Sequence, residues 1–322
     1  MNAVRPPVFL CIFLMLLSAV TVAARERYAL LVGIGKYPAE SGWSRVHGDN
    51  DVRIVREFLL GQGMKGECIE TITNDSATKR RILSALERLA KTVGKGDVIY
   101  IHFSGHGQQV TDLDGDEEEG FDEAWVPYDA GKEYVAGVYE GENHLIDDEL
   151  NAYLLKLRGK VGPKGRITVV SDACHSGSGS RGQDGEEYFR GTDEKFIIPL
   201  RSVPETGKSN PVKWLFIGAC KSYQTNYECK APDGLFYGCL SYVVSHSEVD
   251  LRTAHYEDVL ARWADAMDKI VRYPQEIDAE GHPRGISAAK PSRSVPELVE
   301  AVPELVEGHR PSKGRNTSET IL

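Results

Sequence analysis

Two short segments carry residue types suited to nucleophilic chemistry: Ser104-Gly105-His106-Gly107 and Asp172-Ala173-Cys174-His175-Ser176-Gly177. A thiol attacks a carbonyl only as a thiolate, so it needs a base, and the developing oxyanion needs donors. A cysteine and a histidine at one sheet edge supply the nucleophile and base. Glycines such as Gly107 and Gly177 let the backbone approach a substrate closely. Pattern alone leaves a second reading open, a buried cysteine and an unrelated loop histidine. A third segment is acidic. Asp112 to Glu123 holds eight carboxylates in twelve positions, with acids at the first, third, fifth, seventh and twelfth. An EF-hand needs glycine at the sixth position, which is Glu117 here, so that assignment is rejected. A solvated acidic face is the plainer reading.

Ligand sites in parallel α/β sheets lie at the carboxyl ends of strands. The two nucleophilic segments therefore need strands that end just before them. Val98 to Phe103 runs into the first and Arg166 to Ser171 into the second. Tyr28 to Ile34 reads as a buried strand, and Cys68 to Thr73 and Lys213 to Ala219 as further strands. Between them, Val52, Val55, Phe58 and Leu59 mark one face of a helix capped by Asp49 or Asn50 and ending near Gly61. Ile82, Leu86 and Leu89 mark another, capped by Asp75 or Ser76 and closed near Gly94. Asp147 to Leu157, Leu235 to Ser245 and Tyr256 to Val271 read as helices, and Thr111 to Gly141 as irregular. Strands separated by helices predict a parallel sheet covered on both faces, an α/β fold.

With 322 residues, 41% hydrophobic and 27% charged, the chain is neither disordered throughout nor collagen-like. Its net charge of −10 argues against nucleic acid as a partner. Arg5 precedes an apolar run from Val8 to Val22, followed by the Ala-x-Ala-like Val22-Ala23-Ala24, so residues 1–24 are expected to be a cleaved signal peptide. The run is short of the ~20 residues of a spanning helix. The expectation is an exported protein, periplasmic or secreted, with no membrane segment after cleavage. Cys68, Cys174, Cys220, Cys229 and Cys239 then remain, an odd set without Cys-x-x-Cys spacing, so a zinc site has no support. Residues 25–285 are expected to form the folded domain. In 286–322, Val295-Pro-Glu-Leu-Val-Glu300 recurs as Val302-Pro-Glu-Leu-Val-Glu307. Prolines inside each copy oppose a continuous helix, and the segment reads as a low-complexity, disordered tail.

The ordered motifs are similar to those of metacaspases, caspase-like cysteine peptidases. They are Tyr28-Ala-Leu-Leu-Val-Gly-Ile, Asn50-Asp51, Tyr100-Ile-His-Phe-Ser-Gly-His106-Gly, Asp112-Leu-Asp-Gly-Asp-Glu, Asp122-Glu-Ala-Trp-Val-Pro, Ile146-Asp-Asp-Glu-Leu and Asp172-Ala-Cys174-His-Ser-Gly. Ala219-Cys-Lys-Ser-Tyr-Gln-Thr-Asn-Tyr-Glu228 and Gly234-Leu-Phe236 continue the series. The resemblance covers roughly Arg27 to Gln275 in the family's order. It implies a caspase-like three-layer α/β/α sandwich with a mostly parallel sheet, and a cysteine endopeptidase acting through a dyad.

On the matching positions, Cys174 is the implied nucleophile and His106 the general acid/base. The backbone N–H groups of Gly107 and Cys174 are the implied oxyanion donors, and His175 should point away. The resemblance implies cleavage of protein or peptide substrates after arginine or lysine, with Asp51 and Asp172 lining the S1 pocket and Ser104 on its wall. A partly buried pair of carboxylates suits a guanidinium or ammonium, although Asp51 could also simply begin a helix. The family often has cysteine where Gly48 stands. An activating Ca²⁺ site is implied at Asp122, Asp147 and Asp148 plus an aspartate that aligns near Arg181, a cation in place of a ligand, with Asp184 as a substitute. A monomer is expected. Ser178 to Arg201 is expected to be exposed and mobile, with self-cleavage at Arg190 or Lys195. A catalytically silent caspase-fold binding module is the competing class, opposed by the intact Cys174 and His106.

Overall fold

The computed structural model describes residues 25–115, 117, 119–175, 187–199 and 212–284. The signal-peptide and tail readings, Arg181 and Asp184 lie outside the described residues. Along the chain run β1 (Arg27–Gly33), α1 (Gly48–Gly61), β2 (Ile69–Thr73), α2 (Lys79–Thr92), β3 (Val98–Ser104), β4 (Gly107–Thr111), β5 (Phe121–Trp125), β6 (Leu145–Ile146), α3 (Asp147–Val161), β7 (Arg166–Asp172) and β8 (Leu215–Gly218). These are followed by β9 (Glu228–Lys230), β10 (Phe236–Gly238), α4 (Cys239–His246), α5 (Tyr256–Ile270) and β11 (Asp278–Gly281).

The central sheet has the order β11-β8-β7-β3-β1-β2. All its pairings are parallel except β11 with β8, an antiparallel edge. Alternation along the strands sends successive side chains to opposite faces. Leu30, Val32, Ile99, Ile101, Phe103, Ile167 and Val169 pack against α2 and α3. Ala29, Leu31, Tyr100, Val170, Leu215 and Ile217 pack against α1, α4 and α5. The result is the three-layer α/β/α sandwich expected from the sequence.

Several local expectations are corrected. The α2 cap is Thr78, whose hydroxyl accepts from Arg81 N–H at 3.3 Å, while Asp75 and Ser76 form a short 3-10 turn before it. His47 caps α1, so Asp49 and Asn50 lie inside its first turn. Leu235 to Gly238 is not helical. Gly234 adopts φ +82°, turning the chain so that β10 pairs with β9, and α4 begins only at Cys239. The acidic segment read as irregular contains the turn of a hairpin and its second strand, β5, which pairs antiparallel with β4.

Candidate active site

Strands β3 and β7 are parallel neighbours with Ser104 opposite Asp172. His106 and Cys174, each two residues farther on, therefore emerge side by side at the carboxyl edge of the sheet. Trp125 stiffens this edge, stacking on Phe103 with centroids 4.5 Å apart and donating its indole N–H to Ser171 Oγ at 3.0 Å. Gly107 reaches the second segment directly: a methyl group there would lie 2.6 Å from the Cys174 carbonyl oxygen. This is the close backbone approach that its glycine identity permits.

His106 is buried, its ring stacked on Trp43 at 4.8 Å, and its backbone N–H donates to the Tyr37 hydroxyl at 3.0 Å. Nε2 faces the Ser44 carbonyl oxygen at 2.9 Å, and Nδ1 faces the Gly191 N–H at 3.1 Å. These partners assign the neutral ring with its proton on Nε2 and a lone pair on Nδ1. Burial pushes its pKa down to about 4. Cys174 is 2% exposed, and its thiol donates to the Gln224 carbonyl at 2.9 Å. His175 turns to Glu123, Nδ1 to Oε2 at 3.1 Å. Burial would lower its pKa, but the Glu123 carboxylate outweighs it and the net shift is upward.

Asp51, Ser104 and Asp172 do converge, and they converge on a side chain of the same chain. Arg190 is fully buried among them. Nη2 lies 2.7 Å from Asp51 Oδ2 and 2.9 Å from Glu228 Oε1. Nη1 donates to Ser104 Oγ at 2.6 Å and lies 3.4 Å from Asp172 Oδ1, while Nε donates to Glu228 Oε1 at 3.1 Å. The expectation that this loop is exposed is corrected at its centre: Arg190, Gly191 and Thr192 are buried. A guanidinium tolerates burial when carboxylates satisfy its donors, and here three do so. Lys195 is elsewhere, its ammonium 3.7 Å from the Phe121 ring centroid.

Three carboxylates share one guanidinium, and their environments separate them. Burial pushes Asp51 up to about 7, against the opposing pull of Arg190. Burial also opposes ionisation of Asp172, but Arg190, the Asn226 amide and the Ser241 N–H and hydroxyl hold it below the usual carboxylate range. Glu228 is likewise held low despite burial, by Arg190 and by His47. Glu228, Asn226, Ser241 and Gly238 are pocket residues that sequence reasoning missed. Only Glu228 and Asn226 left a signal, as part of the motif ending at Glu228. Gly48 is explained too: a methyl group there would meet the Ser104 carbonyl oxygen at 2.2 Å, so no side chain fits.

Of the expected cation ligands, Asp147 feels the charge of His175, and Asp122 feels Asp147 and Asp148. Asp122 Oδ1 and Asp147 Oδ1 are buried without hydrogen-bond partners. Burial and neighbouring carboxylates raise Asp122 to about 8 and Asp147 to about 7, and burial and Asp114 raise Asp148 as well. Asp112 serves the loop itself, accepting from the N–H groups of Asp114, Gly115 and Glu117. Among the described residues, no three His, Cys, Asp or Glu side chains form a group that could hold a metal ion.

A parallel α/β/α sandwich with a cysteine and a histidine at adjoining strand ends, and a carboxylate pocket beside them, defines a cysteine-peptidase-like site. The caspase domain model matches residues 26–286, and the chain belongs to that family of cysteine-type peptidases. Similar proteins include Metacaspase-1 of Eremothecium gossypii, 34% identical over 161 residues, which are 48% of this chain and 32% of that one. Metacaspase-1B of Aspergillus oryzae is 35% identical over 163 residues, 48% of this chain and 35% of its own. The match thus spans about a third of the length of these curated relatives. A solved structure of a protein from Geobacter sulfurreducens shares the fold, with TM-score 0.51 and 23% identity over 79% of this chain and 92% of that one.

Proposed function

We propose that this protein is a metacaspase-like cysteine endopeptidase that cleaves after arginine or lysine, and that it processes its own chain after Arg190. One observation carries the reading. The Arg190–Gly191 peptide lies across the site with its guanidinium among the pocket carboxylates and its amide nitrogen 3.1 Å from His106 Nδ1. That is where the leaving amine of a substrate cut after Arg190 would be.

In this reading the Cys174 thiolate attacks the carbonyl carbon of the residue in the pocket. The oxyanion is received by the N–H groups of Gly107 and Cys174, each such donor contributing about 3 kcal/mol to the transition state. The proton taken from Cys174 passes through His106 Nδ1 to the leaving nitrogen, and water then hydrolyses the thioester. An arginine uses Nε and both terminal nitrogens in this pocket, whereas a lysine offers one ammonium, so arginine should be the better substrate.

The orphaned oxygens of Asp122 and Asp147 suit an oxygen-seeking divalent cation. We include Ca²⁺ as an activator: Asp122, Asp147 and Asp148 are not gathered into a metal-holding group among the described residues, and an ion would have to draw them together, its charge offsetting carboxylates packed beside the His175–Glu123 pair. The test uses fluorogenic peptides ending in arginine, lysine or aspartate, with and without Ca²⁺. Cleavage is expected after arginine, less after lysine and none after aspartate, with rates raised by millimolar Ca²⁺ and lost in Cys174→Ala. Turnover by purified Cys174→Ala, or cleavage after aspartate alone, would contradict the reading. Unchanged rates in chelator would remove calcium from it.

A further inference from the structure

A second thiol stands against the first. Cys220 follows β8 as Cys174 follows β7, and these strands are parallel neighbours with Ser171 opposite Gly218. The Ala219 N–H donates to the Ser171 carbonyl at 3.0 Å, clamping the two chains just before both cysteines. The Cys220 thiol donates to Cys174 Sγ at 3.0 Å, and both sulfurs face the Gln224 carbonyl oxygen, at 2.9 and 3.6 Å. Strand register, not a flexible loop, sets this distance. Closing it to a disulfide of about 2.05 Å needs a movement of only about 1 Å.

Access is independent of the S1 pocket that Arg190 fills. A cavity of about 40 Å³ is lined by both cysteines, and its lining also includes Lys221, Asp278 and Glu123. The side chains of these three are 33%, 50% and 43% exposed, so it reaches the surface. Its volume accommodates roughly a water or a hydrogen peroxide molecule. The hydrogen bond to Cys174 and burial push the Cys220 thiol up, so Cys220 holds its proton.

We propose that Cys220 is a resolving cysteine, which captures the oxidised nucleophile as a reversible Cys174–Cys220 disulfide when peroxide reaches the cavity. The Cys174 thiolate attacks one peroxide oxygen. The O–O bond breaks, the departing hydroxide takes a proton to become water, and Cys174 becomes a sulfenic acid. The Cys220 sulfur then attacks the Cys174 sulfur, and the S–O bond breaks. The hydroxyl leaves as water with the Cys220 proton. Two thiols and one peroxide thus yield one disulfide and two waters, with two electrons passing from the sulfurs to peroxide. The disulfide protects the nucleophile from irreversible sulfinic acid and switches it off until a dithiol reduces it.

This inference rests on Cys174 being the nucleophile, so its test has a readout that does not need peptidase activity. The full-length chain is treated with one equivalent of hydrogen peroxide, alkylated and digested without reductant. A Cys174–Cys220 cross-linked peptide, two hydrogens lighter than its parts, is expected in the mass spectrum. Alkylated Cys220 beside a sulfinic Cys174 would overturn the proposal, whatever the peptidase assay reads. In the activity arm each protein is compared with its own untreated rate. Wild type should recover most of that rate on adding dithiothreitol, while Cys220→Ala and Cys220→Ser recover on the order of a tenth or less. Equal recovery in all three would also overturn it.

Discussion

A methyl group at position 238 would lie 2.2 Å from Asp172 Oδ2 and 2.4 Å from Arg190 Nη1. Gly238 has an ordinary φ of −63°, so alanine there strains no backbone and simply enters the space the guanidinium uses. Gly238→Ala should therefore lower kcat/KM for arginine peptides at least about a hundredfold, ~3 kcal/mol, and lower the melting temperature as well, because it also crowds the buried Asp172–Arg190 pair. An unchanged kcat/KM would show that substrate arginine does not enter this pocket. Asp51 gives a pH signature. Its pKa of about 7 belongs to a pocket filled by Arg190, and withdrawing that guanidinium removes the pull that holds it down. In the proposed reading, ionisation above that value creates the attraction for an arriving arginine. The account expects kcat/KM to rise with pH through a limb at or above about 7, and Asp51→Asn to be weaker and to lack that limb. Ser104 and Asp172 were legible in the sequence because they sit in the motifs of His106 and Cys174, and Asp51 only through the resemblance carried by Asn50-Asp51. Gly238 and Ser241 were not, since only the packing of α4 against the sheet brings them to the pocket.

At the scale of elements, the site depends on how closely α1 approaches the sheet. A methyl group at Gly33 would lie 2.1 Å from the Gly48 carbonyl oxygen, and one at Gly48 would lie 2.2 Å from the Ser104 carbonyl oxygen. The helix start thus rests on bare backbone at the ends of β1 and β3, which sets Asp51 against Ser104, hydroxyl to Oδ2 at 2.6 Å. Gly48→Cys should push this contact apart, costing about 1–3 kcal/mol in denaturant unfolding and weakening arginine-substrate binding. Unchanged stability would mean that α1 is free to shift. Four of the five parallel strands were readable because strands buried on both faces form nearly unbroken apolar runs, whereas the edge strand β2 carries only Ile69 and Ile72 as buried apolar residues. The β9–β10 hairpin was not, because Leu235 to Ser245 carries an apolar pattern that a helix also satisfies, and one glycine turn decides between them. The hairpin of β4 and β5 was hidden by the acidic turn between them and by Asp122 and Glu123 in β5, which read as solvated although Val110 and Ala124 are buried within it.

Across the whole molecule, Arg190 is both a substrate-like residue and the counter-charge of the pocket. The sequence marked it as a cleavable arginine but not as a buried one, because its burial depends on carboxylates contributed by α1, β7 and β9, far apart in the chain. Removing one partner of a buried ionic cluster typically costs about 3–5 kcal/mol. Arg190→Ala should be destabilised by about that much. Agmatine, a free guanidinium, should restore its melting temperature in a concentration-dependent way, as any ligand specific to the native state does. Loss of stability without rescue would mean that the pocket collapses when Arg190 is absent and is not a binding site for a guanidinium in its own right.

The most direct measurement is the position of the cut. Purified wild type, Cys174→Ala and Arg190→Glu are incubated with Ca²⁺, and the new chain ends are read by mass spectrometry. A fragment ending at Arg190 and its partner beginning at Gly191 are expected in wild type and in neither variant. A wild-type chain that hydrolyses arginine peptides while remaining intact at Arg190, or one cut there equally in Cys174→Ala, would contradict the account.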